Sequence, residues 1–101
     1  MRSITSDAYE AFMDNRRFKR GNTQVIIEDN GDVVMLLFGN EIAKKVRGEI
    51  FISTAGHSTN TTLSRLRAFA IISYRKGVLM LDNKYVWDGT WVSLNLIEEW
   101  T

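Results

Sequence analysis

The chain has no cysteine, no proline and one histidine in 101 residues. Without cysteine, disulfides, thiolate nucleophiles and thiolate metal sites are excluded. With His57 as the single histidine, a multi-histidine metal centre is excluded as well. No apolar run approaches bilayer-spanning length, and the N-terminal segment lacks the apolar stretch of a secretory leader. A soluble cytoplasmic protein without membrane association is therefore expected. Neither sign of charge dominates, since thirteen Lys and Arg face twelve Asp and Glu for a net charge of +1. That balance argues against bulk nucleic-acid condensation and leaves room for a local basic patch.

Enzyme signatures are missing too. There is no Gly-Lys-Ser/Thr phosphate loop and no glycine-flanked serine elbow. Asp29, Asp32, Asp82 and Asp88 border turns, the ordinary place for aspartate, and do not suggest a paired-carboxylate site. His57 sits among hydroxyl residues, but neighbours in sequence rarely assemble a usable triad. The expectation is a non-catalytic protein with no metal and no cofactor.

What is present is one domain's length, with enough apolar residues for a small core. The chain is organised around Ser53–Ala70, a polar stretch leading into a helix over Asn60–Ala70. Asn60 is the favoured N-cap, and Leu63, Leu66, Phe69 and Ala70 share one helical arc with Arg65 and Arg67 on its flanks. Residues Asp7–Lys19 read as an amphipathic helix, with Asp7 and Glu10 in capping-box spacing, Tyr9, Phe12 and Met13 on one face, and Gly21 as the stop.

Between these helices four strands are expected, at Gln24–Ile27, Val33–Phe38, Glu41–Val46 and Glu49–Ser53, joined by turns at Asn30-Gly31, Gly39-Asn40 and Arg47-Gly48. The uniformly apolar Val33–Phe38 reads as a central strand, and the lysine-bearing Glu41–Val46 as an edge. Ile71–Tyr74, Val78–Leu81, Lys84–Trp87 and Thr90–Leu94 read as further hairpin strands. Asp88-Gly89 would make the last turn, placing Trp87 and Trp91 as a cross-strand pair, and Trp100 would fold back onto the body. The whole is an α+β domain: an N-terminal helix, an antiparallel meander of about four strands, one central helix on the sheet, then three or four hairpin strands. Val34, Leu36, Ile50, Ile52, Leu63, Leu66 and Phe69 are the expected core.

Two surfaces could bind. The first is the polar helix start, His57, Ser58, Thr59, Asn60 and Thr61, together with Arg65; redundant capping of a short helix is the structural alternative. The second is the basic cluster Arg16, Arg17, Lys19 and Arg20, with Lys44, Lys45, Arg65 and Arg67, which would contact phosphates. Its structural alternative is a solvated helix end favoured by the macrodipole, with Phe18 anchoring it into the core.

Four blocks resemble a known family. They are Phe18-Lys19-Arg20-Gly21-Asn22-Thr23-Gln24-Val25, Phe38-Gly39-Asn40-Glu41-Ile42-Ala43, Ser53–Thr62 followed by Arg65-Leu66, and Val86-Trp87-Asp88-Gly89-Thr90-Trp91. The chain is similar over most of its length to small tailed-bacteriophage proteins with no assigned activity. Two positions depart from that pattern: His57 stands where Trp is common, and Phe38 where His often precedes Gly-Asn. The resemblance implies a phage setting and brings no activity with it; small size, the absence of a catalytic constellation and aromatic-bearing hairpins suit a binding module that engages a host protein in the host cytoplasm, including a factor of host defence. The alternative is a nucleic-acid binder using the basic cluster.

Overall fold

The computed structural model describes residues 3–99 and shows an α+β domain. Ser3 opens the first helix, its hydroxyl accepting from the Ser6 N–H at 3.0 Å, and α1 runs over Ile4–Met13. The helix is shorter than its charge pattern suggests. Asn15 adopts φ 57°, the Arg16 N–H donates to the Ala11 carbonyl, and the Asn15 N–H donates to the Phe12 carbonyl. That is a Schellman ending with asparagine in the left-handed position usually held by glycine. Helix cap and stop are thus Ser3 and Asn15, and Asp7 instead pairs with Arg20 at 2.7 Å.

Phe18 and Lys19, expected as the end of the helix, lie instead in strand β1 (Phe18–Arg20). It opens a meander with β2 (Thr23–Ile27), β3 (Val33–Leu37), β4 (Asn40–Val46) and β5 (Glu49–Ile52). The expected turns at Asn30-Gly31 and Arg47-Gly48 join adjacent antiparallel strands, whereas the one expected at Gly39-Asn40 lies one residue earlier, at Phe38-Gly39, with Asn40 already paired to Leu37 in β4. After α2 (Asn60–Leu66) come β6 (Ile72–Arg75), β7 (Val78–Leu81) and β8 (Tyr85–Trp87), a separate three-stranded sheet. The last strand, β9 (Val92–Ser93), returns to pair with β5, giving a six-stranded sheet in the order β1-β2-β3-β4-β5-β9. α3 (Leu94–Glu99) follows, and the expectation for Trp100 lies outside the described residues.

Strand alternation divides the large sheet. Thr23, Val25, Val33, Met35, Leu37, Ala43 and Ile52 face the core with Ala8, Ala11 and Phe12 of α1 and Leu63 and Leu66 of α2. Val34 and Leu36 therefore face the other way, which corrects their place in the expected core; Val34 is still buried, its register partners being Ile26 and Lys44. Ile50 and Phe69 pack against the core from its margin, and Phe69 meets the rings of Tyr9 and Phe12 edge-on at 5.1 and 5.2 Å.

β4 is an interior strand, not an edge, because each of its lysines finds a partner on its own face. Lys44 pairs with Glu28 at 3.3 Å and Asp32 at 4.0 Å. Lys45 crosses to the helix side, where Nζ donates to the Phe12 and Met13 carbonyls at 3.0 and 3.2 Å. Both carbonyls belong to the last turn of α1, where a cation is also favoured by the helix dipole. The two neighbours titrate in opposite senses. The hydrogen bond and charge of Glu28 raise the Lys44 pKa, so its stabilisation is complete below the ordinary value and fades as pH rises through the folded value. Burial lowers the Lys45 pKa, so the unfolded chain holds that proton more tightly and the penalty is relieved as pH rises toward 10.5. In alkaline melts, Lys44→Met should gain on the parent as pH rises and Lys45→Met should lose ground. Differences of the same sign in both variants would refute these assignments.

Candidate functional site

Phe38 and Gly39 form a two-residue hairpin loop between the paired Leu37 and Asn40, with φ 51° and 78°. Two positive φ angles are the mark of a type I′ turn, which favours Asn, Asp or Gly at its first position. A side chain in that left-handed region costs about 1–2 kcal/mol. Here the residue is phenylalanine, and it stands 71% exposed. Facing it is a second left-handed pair, Ala55 and Gly56 at φ 55° and 83°, after which the His57 N–H donates to the Thr54 carbonyl.

Between these two turns lies a slot of about 210 Å³. Leu37, Ile42, Thr54 and Thr62 are its buried residues, Ala55 is half-buried, and Phe38, Asn40, His57 and Thr59 are its exposed rim. No Asp, Glu, Lys or Arg is among the nine. A mainly apolar hollow with a few polar rim groups is the usual form of a recognition pocket.

The polar helix start contributes to this slot in part. His57 and Thr59 stand on its rim; Ser58, Asn60 and Thr61 do not line it. Thr59, not Asn60, is the N-cap: its backbone is extended at ψ 160° and its hydroxyl accepts from the Thr62 N–H at 3.2 Å, leaving Asn60 as the first helical residue. α2 ends at Leu66, short of Ala70: beyond it the Ala68 and Phe69 N–H groups bond three residues back, to the Arg65 and Leu66 carbonyls, and residues 67–69 continue as tight turns.

Arg65 turns inward. Nε donates to Thr23 Oγ1 at 2.9 Å, one terminal nitrogen to Thr5 Oγ1 at 2.8 Å, and the other to Asn22 Oδ1 at 3.4 Å. Burial lowers its pKa, and the three oxygens are all neutral. The guanidinium fork thus ties α2 to α1 and to the start of β2, using the rigid planar geometry that a lysine lacks. Arg65→Ala should lose roughly 1.5–3 kcal/mol in urea unfolding, the scale of hydrogen bonds from a charged donor, and Arg65→Lys should recover little of it. An unchanged midpoint would show that the fork is dispensable.

The basic cluster is dispersed. Arg16 pairs with Asp14 at 3.5 Å and Arg20 with Asp7, while Lys19 faces the opposite side of β1 from Arg20. Lys44 and Lys45 are engaged as described, and Arg67 Nε donates to the Ile72 carbonyl at 2.9 Å. Phe18 is half-buried against the core, with Arg20 over its ring at 5.2 Å. Exposed Arg17 and Lys19 form no ion pair among the described residues.

The rim residues Phe38 and Asn40 and the buried Leu37 and Ile42 were not among the site residues expected from sequence. The signal that marks them is an aromatic residue at a turn position suited to Asn or Gly.

Trp87 and Trp91 are not a cross-strand pair, because β8 and β9 belong to different sheets. Trp87 is buried with Nε1 donating to the Thr90 carbonyl at 2.8 Å, while Trp91 is 47% exposed. Among the described residues there is no group of three or more His, Asp or Glu placed to hold a metal. No helix among them is long and apolar enough to cross a membrane.

Fold and slot together define a small α+β protein with its helices laid on one face of an antiparallel meander. The chain belongs to the Kyanoviridae Gp96 protein family, a family of tailed-phage proteins, which matches residues 1–99. No curated protein and no solved structure matches it.

Proposed function

We propose that this phage protein is a non-catalytic binding module that engages a host protein in the host cytoplasm, with the slot between the Phe38 turn and the His57 loop as its contact. The observation that supports this reading is Phe38 itself. A phenylalanine held exposed at a left-handed turn position costs the fold both solvation and backbone strain. Beside an uncharged slot, the same ring can bury against a partner and supply the aromatic anchor on which interfaces depend. His57, Asn40 and Thr59 on the rim add hydrogen-bonding groups that fix orientation.

A helix start beside a guanidinium would favour an acidic or phosphorylated partner, but the Arg65 guanidinium is spent inside the fold and lends that reading no support. An uncharged partner segment with an apolar side chain fits the slot better.

Phe38→Asn is the decisive variant, because asparagine suits the turn. Its melt should equal or exceed that of the parent, while capture of the host protein from expressing cells should be lost. Equal capture by both would move the contact elsewhere. Turnover of any substrate would overturn the non-catalytic reading, and steep salt-dependent retention on heparin would favour the nucleic-acid alternative.

A further inference from the structure

The three-stranded sheet has one face in the core and one in the open. Ile72, Leu79, Leu81 and Trp87 are core residues. Strand alternation then puts Ser73 and Arg75 of β6, Val78 and Met80 of β7 and Val86 of β8 on the opposite face. The register aligns Ser73, Met80 and Val86 in one row, with Arg75 beside Val78. Val86 is 76% exposed and Val78 43%, and Ile71, just ahead of β6, is 60% exposed. Scattered exposed aliphatics are ordinary, but a group of them on one sheet face marks an interaction surface.

The charge around this face is predominantly positive. Arg75 and Lys76 at the β6–β7 turn and Lys84 at the other end are exposed and form no ion pair with any described residue. Two acidic residues border the sheet, Asp82 in the β7–β8 turn and Asp88 just after β8, and the Asp88 carboxylate is engaged by the Thr90 N–H and hydroxyl.

We infer that the outer face of the β6-β7-β8 sheet docks an acidic polypeptide segment. Apolar side chains of that segment cover Val78, Met80 and Val86, and its carboxylates meet Arg75, Lys76 and Lys84. A nucleic acid fits less well, because Val78, Met80 and Val86 offer aliphatic surface where single strands need aromatic platforms. An anionic membrane is also disfavoured, since three cations fall short of the four to eight or so that mark polybasic lipid-binding clusters. This surface lies on a different sheet from the slot and stands without the slot reading; a protein using both could bridge two partners.

The test uses a fluorescein-labelled peptide of alternating glutamate and leucine, with a lysine–leucine peptide as its counterpart, read by fluorescence anisotropy on the full chain. The acidic peptide should bind, more weakly as salt rises, and the basic one should not. Val86→Glu, and separately Arg75→Glu with Lys84→Glu, should each weaken binding about tenfold or more while the melt stays close to the parent's. Phe38→Asn should leave it unchanged, which separates this surface from the slot. Absence of binding, equal binding of the basic peptide, or indifference to the Val86 and Arg75/Lys84 variants would overturn the inference. So would duplex DNA or anionic vesicles binding through these residues in preference to the acidic peptide.

Discussion

Gly89→Ala is expected to lose roughly 2–5 kcal/mol of stability, by adding left-handed strain of about 1–2 kcal/mol to overpacking of about 1–3 kcal/mol. Gly89 is buried at φ 86°, and a methyl group there would overlap Thr54 Oγ1. Thr54 has little freedom to swing aside, because its hydroxyl and its N–H both donate to the Gly89 carbonyl, at 3.3 and 2.9 Å. Ser53 Oγ donates to the same oxygen at 3.1 Å. This junction holds the segment after β8 against the loop leading to α2, so its loss should be seen in both urea and thermal melts. Gly31→Ala is the control: φ is 91°, but nothing lies within 4 Å of the added carbon, so only the backbone cost remains. A Gly89→Ala protein that melts alongside Gly31→Ala would show that the Thr54 overlap is relieved at no cost.

Leu66→Ala should be comparably damaging. Leu66 is fully buried in the core at the end of α2, and its carbonyl also receives the Phe69 and Ala70 N–H groups of the turn that follows. Truncating a buried leucine costs about 2–5 kcal/mol through lost transfer energy and the cavity left behind. In a domain of this size that corresponds to a fall in melting temperature of roughly 10 °C or more. A shift of only a degree or two would mean that the helix sits on the sheet by a different face.

The elements most legible in the sequence were those written in local chemistry. Asn30-Gly31 and Arg47-Gly48 announced hairpins, and the apolar run from Val33 marked the third strand of six. Asp88-Gly89 was read as a hairpin turn for the same reason, and there local chemistry misled. The dipeptide encodes a bend: Asp88 Oδ1 accepts from the Thr90 N–H and hydroxyl, at 3.0 and 2.6 Å, which also lowers its carboxyl pKa. Which strand the chain then joins is decided by Ser53 and Thr54, more than thirty residues earlier, and no local pattern carries that.

The end of α1 was hidden differently. Asparagine made the left-handed stop, and the cationic run after it imitated a helix end. At the candidate site, the 57–62 stretch stood out for its polarity, yet much of that polarity caps α2. The slot became visible once the fold brought the Phe38 turn beside it, because its two walls are separated by some fifteen residues of intervening strand.

The edges of the large sheet bear on how the protein behaves when abundant. β1 spans three residues and carries Lys19 and Arg20, and β9 spans two. On the smaller sheet, Arg67 Nε occupies the Ile72 carbonyl of edge strand β6. A growing fibril needs a long, regular ladder of unpaired backbone groups as its template, and short or charged margins deny it one. At these margins the chain offers little to pair with in copies of itself, while its exposed apolar side chains remain open to other molecules.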